Sequence, residues 1–338
     1  MNHFVLNSTI LSKPALYPLT FHPVYKDKIW GGHKIRNKLG KDFGELSNCG
    51  ESWEISGVET DLSIVKNGPL SGKSIQEITD RYKSELIGRK VYRRFGSKFP
   101  LLIKFIDAND DLSIQVHPDD KLARERHNSA GKTEMWYIFQ ADEESKLITG
   151  FNQKIDKKIF LEKARHGETL SVLNQEDVHE DDAFFLPAGR IHTIGKGLLL
   201  AEIQQASDIT YRIHDFDRID DKGNKRELHL EQSLDAIDFG FYDEYKTVYP
   251  RTKNEVVNLA QCQYFTTNKL HFDQPIRRNY RTIDSFVIFI CMEGEGSLYY
   301  AESQIHFQIG DTMLLPAIFN EIELRPSDGF KMLECYIQ

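Results

Sequence analysis

EDDAFFLPAGRIHTI (residues 180–194) is answered further along the chain by IGDTMLLPAIFNEIE (309–323). Asp182 matches Asp311, Leu186 matches Leu315, and Pro187-Ala188 matches Pro316-Ala317. Each copy follows strand-like runs, WYIFQADEESKLITG before the first and FVIFICMEGEGSLYYAE before the second. A segment that recurs together with its preceding strands is one supersecondary unit used twice, so two related β units are expected, one per half. FYDEYKTVYPRTKNEVVN (241–258) is polar and irregular and is the expected linker between them.

Outward from the repeat, the chain continues in the same vein. LSIQVHP (112–118), EMWYIFQ (134–140), DAFFLPAG (182–189), GLLLAEIQQ (197–205), SFVIFICMEG (285–294) and SLYYAE (297–302) are apolar runs rich in β-formers. Three stretches predict helices instead. Residues 74–95 open on Ser74 with Glu77 three places on, a capping box. Residues 156–165 have Asp156 as N-cap, and 228–239 space Leu230, Leu234 and Ile237 as one helical face. Strands do not alternate regularly with helices, which argues against a doubly wound α/β fold and for a mainly β protein.

Composition sets outer limits. The chain has 338 residues, 40% hydrophobic and 28% charged, with a net charge of −8. That is enough for two domains and too apolar for global disorder. A net negative charge argues against a nucleic-acid partner, while leaving room for a local basic cleft that binds an anion. No apolar run is long enough to span a membrane, and the N-terminal stretch reads as a poor signal peptide. Cys49, Cys262, Cys291 and Cys335 are too sparse for a disulfide framework and are expected as buried thiols of a cytoplasmic protein.

Three polar positions in these strands stand out. In Ser113-Ile114-Gln115-Val116-His117 the period of two sends Ser113, Gln115 and His117 to one face and Ile114 and Val116 to the other. Glu134 shares a strand face with Trp136. Pro187-Ala188-Gly189 is a turn that feeds His192 back onto a strand. Two imidazoles and a carboxylate suit Zn²⁺ or Fe²⁺, with the Gln115 carbonyl oxygen as a fourth donor. Each histidine alone reads as an ordinary strand residue; the Pro-x-Gly-x-x-His spacing changes that reading. The ten remaining histidines, His3 among them, show no comparable pattern. In the second copy Ile318 replaces Gly189 and Glu321 replaces His192, so the C-terminal unit is expected to hold no metal.

Pro187-x-Gly189-x-x-His192 resembles the second motif of the cupin superfamily, whose fold is a jelly-roll barrel. LSIQVHPDD, GKTEMWY, PAGRIHTIG and AEIQQASDITYRIHDFDR, with IWGG (29–32) and GESWEIS (50–56), together resemble the short bacterial branch of the type I mannose-6-phosphate isomerases. The resemblance runs from about residue 20 to the C-terminus. It implies two cupin-type jelly-roll barrels with a few helices alongside: a catalytic unit over 1–245 and a metal-free unit over 246–338. It implies one Zn²⁺ held by His117, Glu134, His192 and Gln115, and a phosphorylated hexose as substrate of a monomer or homodimer.

The implied reaction is an aldose–ketose interconversion of mannose 6-phosphate and fructose 6-phosphate through an enediol or enediolate. It needs an electrophile, a proton carrier and cations. Arg212 matches the family's active-site arginine and is expected to stabilise the enediolate or the phosphate, since a guanidinium keeps its charge at neutral pH. Lys132 and Lys104 are further cations, and Lys104, in an apolar run, would shuttle protons if burial lowered its pKa. Lys104, Ser113 and Arg212 are the expected substrate and phosphate contacts. Glu202 and Asp208 are the carboxylates for acid–base work, Glu202 being also a plausible ion partner of Arg212. Two glycine patterns are decoys: Gly189…Gly195-Lys196-Gly197 lacks phosphate-loop spacing, and Gly294-Glu295-Gly296 reads as a hairpin turn. Two other functions use the same residues, a non-catalytic sugar-binding cupin and an iron-dependent cupin oxygenase.

Overall fold

The computed structural model describes residues 14–219 and 222–338; His3 and the start of the N-terminal stretch lie outside the described residues. The fold is mainly β, in three antiparallel sheets. A six-stranded sheet runs in the order Ala183–Leu186, Glu134–Ala141, Leu198–Gln205, Leu101–Ala108, Glu51–Ser56, Val24–Lys26. A five-stranded sheet runs Tyr211–His214, Ile114–Val116, His192–Ile194, Lys146–Phe151, Leu173–Asp177. The nine-stranded sheet gathers the C-terminal strands from Val256–Gln261 to Glu321–Tyr336 and adds Leu19–His22 and Ile64–Val65 from near the N-terminus. Among the described residues no sheet closes on itself.

The pleat decides what each face meets. Along Leu198–Gln205, Leu199, Ala201 and Ile203 pack toward the nine-stranded sheet with Ile288, Ile290 and Leu333. Leu198 and Leu200 point the other way, into a smaller core with Trp136, Ile138, Leu147 and Ile194. Fully burying such a side chain contributes roughly 1.5–3 kcal/mol, so both faces of this middle sheet are strongly specified. Ile114 and Val116 face outward to Phe160 and Leu234 of the covering helices and to Ile237 just past the second. Gln115 and His117 are thereby turned inward, toward the six-stranded sheet.

The Ser74 capping box forms, with Glu77 N donating to Ser74 Oγ at 3.1 Å and Ser74 N donating to Glu77 Oε2 at 2.8 Å. The single helix expected over 74–95 is instead three, Ile75–Tyr82, Ser84–Ile87 and Arg89–Phe95. The breaks fall at Lys83 and Gly88, with φ of 49° and 90°. Gly88 is required there, because a Cβ would sit 2.1 Å from Asp284 O. Asp156 caps Lys157–Arg165 as expected, accepting from Ile159 N at 2.8 Å, and the third helix is shorter than the expected 228–239, spanning Leu230–Ala236 with Ile237 as its extended C-cap. Asp119 caps a further helix over Asp120–His127, accepting from Leu122 N at 2.8 Å.

Gly294-Glu295-Gly296 is not a hairpin turn. The strand Val287–Tyr300 runs through it, with register shifts against Glu321–Tyr336 just before it, between Cys291 and Glu293, and within it, between Gly294 and Gly296. Glycine here makes bulges in a long strand, and the hairpin turn follows at Ala301 and Glu302. The repeat has a shared cause in both copies. Asp182 Oδ2 accepts from His179 N and Asp311 Oδ2 from Gln308 N, each at 2.9 Å. Pro187 O and Pro316 O then close matching turns with Arg190 N and Phe319 N. Over 241–255 no helix or strand is assigned, yet Tyr245 is buried and its hydroxyl donates to Phe151 O and accepts from Phe151 N. All four cysteines are free, and only Cys262 is partly exposed.

Candidate metal centre and its cleft

His117 follows one strand of the five-stranded sheet, His192 begins the next, and Glu134 begins a strand of the six-stranded sheet across from them. The register pairs His192 with Gln115 and Glu134 with Gln204. Gly189 N donates to His117 O at 2.9 Å, which ties the Pro-Ala-Gly turn to the other histidine's backbone. Gly189 has φ of 91°, and a Cβ would meet Ala236 O at 2.9 Å, so this turn needs glycine.

One potential donor atom from each of His117, Glu134 and His192 lies within 4.8 Å of the others, and all three residues are buried. Their hydrogen bonds assign the tautomers. His117 Nδ1 lies 2.9 Å from Ile209 O and His192 Nδ1 lies 2.8 Å from Arg190 O. A carbonyl oxygen only accepts, so both Nδ1 atoms carry the proton and both Nε2 atoms present a lone pair. Those lone pairs face the carboxylate, His192 Nε2 at 3.3 Å from Glu134 Oε1 and His117 Nε2 at 3.5 Å from Oε2.

Burial pushes His192 down to about 4 and His117 well below the ordinary histidine range, and Lys132 adds to both shifts, so neither ring relieves the contact by protonation near neutrality. Burial, with Glu202 next, raises the Glu134 carboxyl. Lys132 Nζ approaches from one side, 3.0 Å from His117 Nε2 and 3.1 Å from Glu134 Oε2. Its angles to Glu134 do not make a hydrogen bond, and both carboxylate oxygens lack one. Converging lone pairs and a buried carboxylate that has one ion-pair partner and no hydrogen bond are what a divalent cation would satisfy. The Gln115 amide reaches His192 Nε2 at 3.3 Å, and amide rotation would offer its oxygen instead. The residues present therefore fit a metal with nitrogen and oxygen donors.

Above this cluster opens a cavity of about 400 Å³ lined by Lys104, Ser113, Gln115, Lys132, Glu202, Asp208 and Arg212. Every expected catalytic and substrate residue is thus brought to one wall or another of it. A larger cavity of about 700 Å³ borders Gly195-Lys196-Gly197 and is lined by neither Gln115 nor Lys132, the two residues that join the smaller cavity to the cluster. The pairings differ from expectation in two respects. Glu202 pairs with Lys104 at 3.0 Å, not with Arg212, and accepts from Trp136 Nε1 at 2.8 Å. Burial works against the Lys104 charge, but Glu202 and Glu51 outweigh it and raise its pKa, so Lys104 is a fixed cation and not a neutral proton shuttle. Burial likewise opposes ionisation of Glu202, yet Lys104 and Lys132 hold its carboxyl below the usual range.

Several cleft residues were not singled out from the sequence: Lys28, Trp30, Glu51, Trp53, Arg226 and His229. The signal for Trp30, Glu51 and Trp53 was present in IWGG and GESWEIS, which were read as family segments without a role. Burial opposes the Glu51 charge, but Lys104, Lys28 and the Trp53 N–H hold its carboxyl down at about 2. Arg226 lies outside every quoted motif.

Comparison with known proteins gives a consistent result. Residues 19–158 match the family model "Phosphomannose isomerase type I, catalytic domain", and 255–327 match "Mannose-6-phosphate isomerase, cupin domain". The mannose-6-phosphate isomerase ManA of Bacillus subtilis is 35% identical over 91% of this chain and 95% of its own length. The mannose-6-phosphate isomerase of Streptococcus mutans is 35% identical over 92% of this chain and 95% of its own. A crystal structure of the Bacillus subtilis mannose 6-phosphate isomerase superposes with a TM-score of 0.84 at 32% identity, covering 95% of this chain and 99% of that one.

Proposed function

The chain belongs to the type I phosphomannose isomerase family, and from that premise we propose how its cleft works as a mannose-6-phosphate isomerase. The observation that carries the reading is the buried His117, Glu134 and His192 set, joined through Gln115 and Lys132 to the wall of a cavity rich in lysine and arginine.

His117, Glu134, His192 and Gln115 would hold one Zn²⁺. When bound, the ion supplies Lewis-acid polarisation of the sugar's carbonyl and hydroxyl oxygens. The chain's own groups do the rest. Lys104 and Ser113 contact the sugar's oxygens, and Arg212 faces the phosphate or the enediolate. Fixed cations there stabilise negative charge without reorganising. Lys132 donates toward the oxygens as charge develops. The proton on C2 leaves to a carboxylate as O1 takes up a proton; return of a proton to C1 and loss of the O2 proton give the ketose. Glu202 is tied to Lys104 and Trp136, whereas Asp208 at the rim has no ion-pair partner among the described residues, so Asp208 is the freer base.

In architecture, we read residues 1–245 as the catalytic unit and 246–338 as a metal-free unit, each of cupin jelly-roll type, in a cytoplasmic monomer or homodimer. The test is a coupled assay following fructose 6-phosphate formed from mannose 6-phosphate, before and after exhaustive chelation. Turnover that chelation removes and Zn²⁺ restores supports the reading. Turnover that survives chelation overturns the metal role, and absence of turnover with retained sugar binding favours a non-catalytic cupin. Oxygen uptake with iron bound would instead mark an oxygenase.

A further inference from the structure

The cleft's cations are not alike. Lys26 pairs with Asp61, Lys28 with Glu51, Lys104 with Glu202, and Lys132 with Glu134. Each lysine therefore has its own carboxylate, and that part of the cleft is close to neutral. The arginine end is different. Arg212 and Arg226 both line the cavity, and three guanidiniums, those of Arg212, Arg218 and Arg226, surround one buried carboxylate, Asp215.

Asp215 is shared. Arg218 Nη2 donates to its Oδ1 at 2.6 Å, Arg226 Nε donates to its Oδ2 at 2.7 Å, and Arg226 Nη2 donates to Oδ1. Arg218 is turned away from the cavity, donating to Asp111 O and lying 3.6 Å from Asp110. Arg212 donates through Nη1 to Glu227 O at 2.8 Å, and its buried Nε has no partner. Asp208 at the rim pairs with neither cleft arginine. Among the described residues the cavity thus ends in two guanidiniums that share one buried carboxylate, with the exposed Glu227 acting on Arg212 as well. Their charges repel one another, which adds to the burial that lowers the Arg212 pKa. An anion carrying about two charges and several acceptor oxygens is what this end lacks.

We propose that Arg226, side-on to Asp215 with no hydrogen bond from its Nη1 among the described residues, is a phosphate-binding residue that works as a fork with Arg212. Asp215 is a positioning residue: it fixes the Arg226 guanidinium plane and is itself fixed by Arg218. The inference rests on the isomerase reading for its substrate, and it makes Arg226 the group that separates phosphorylated from unphosphorylated hexoses.

The experiment measures R226M, R226K and D215N beside the unaltered protein, all loaded with Zn²⁺. Inorganic phosphate is the probe, by calorimetry and as an inhibitor, alongside KM and kcat for mannose 6-phosphate. R226M should raise KM and weaken phosphate binding by about 10–100-fold, as loss of a hydrogen bond to a charged group does, with a far smaller fall in kcat and unchanged metal content. R226K should fall between, since it keeps charge and loses the fork. D215N should raise KM although it removes no cation, an effect that simple charge counting would give the opposite sign. Wild-type KM and phosphate affinity in a folded R226M or R226K protein overturn the inference and leave the isomerase reading standing. Failure of the unaltered protein to turn over substrate overturns that reading, while phosphate calorimetry still tests Arg226.

Discussion

Lys104→Met tests whether the cleft floor is an electrostatic lattice. The Lys104 and Glu202 side chains are 6% and 3% exposed and 3.0 Å apart. Methionine keeps most of the methylene packing and removes only the charge. Breaking a buried pair by deleting one partner costs about 3–5 kcal/mol, because the other charge stays buried. Trp136 Nε1 still donates to Glu202, and Lys132 still acts on it, so the lower end, about 3 kcal/mol, applies. The loss depends on pH in a defined sense. In the unaltered protein the Glu202 carboxyl sits below its unfolded value, so its pairing stabilises above that value and is lost as pH falls through the folded one. Without Lys104, burial dominates and the folded pKa moves above the unfolded one. Ionised Glu202 then destabilises at high pH, and protonation relieves it in acid. Denaturant unfolding of both proteins at pH 8 and pH 5, with chelator present so that metal occupancy is equal, should show the deficit shrinking by about 1–2 kcal/mol at the lower pH. A deficit below about 1 kcal/mol, or one equal at both pH values, refutes the argument that burial of an unpaired charge sets the cost.

His192→Ala should abolish metal binding, measured as metal per chain after gel filtration, and cost more activity than the about 10–100-fold of an outer-shell loss. Arg212→Ala should retain the metal yet lower kcat by about 100–1000-fold, as removal of a charge-stabilising donor does; near-normal kcat would take it off the catalytic list. Gly189→Ala should cost about 1–3 kcal/mol in unfolding experiments and weaken metal binding, since its φ of 91° and the 2.9 Å approach to Ala236 O leave no room for a Cβ. Glu321→Ala should leave turnover intact, because its exposed carboxylate pairs with Asn279 and Arg281 at the surface, and a large loss would give the C-terminal unit a catalytic share.

What the sequence could show was whatever its local periods carry. The alternation in Ser113–His117 and the Glu134/Trp136 pair placed side chains on the correct faces, because a strand's period of two is a backbone property. The Ser74 and Asp156 caps were legible for the same reason: a cap is made by residues three apart. Partnerships across the fold were not. Glu202 finds Lys104, ninety-eight residues away, only because two strands lie side by side in register. The break at Gly88 depends on Asp284 from the C-terminal half, and no window around 74–95 contains that residue. Arg226 stayed hidden because its meaning comes from Asp215 and Arg218, on a segment where charge runs normally signify a solvated surface.

The two copies of the repeat show how little separates a candidate metal site from a packing joint. Both build the same turn, from an aspartate that accepts a backbone N–H three residues back and a Pro-Ala step. In the first copy Gly189 lets the chain leave that turn in a left-handed conformation, its N–H bonds to His117 O, and His192 arrives facing inward. In the second, Ala317 N and Ile318 N donate to Leu86 O and Glu85 O of the short helix Ser84–Ile87, satisfying carbonyls at a helix end that would otherwise lack partners. The strand that follows turns Glu321 to solvent, and the unit's interior fills with Phe289, Met313, Phe330 and Met332. With apolar side chains filling that interior, no pair of imidazoles converges there. The second turn uses its backbone donors to hold the helix Ser84–Ile87, so the same short motif borders the candidate metal cluster in one copy and makes an attachment in the other.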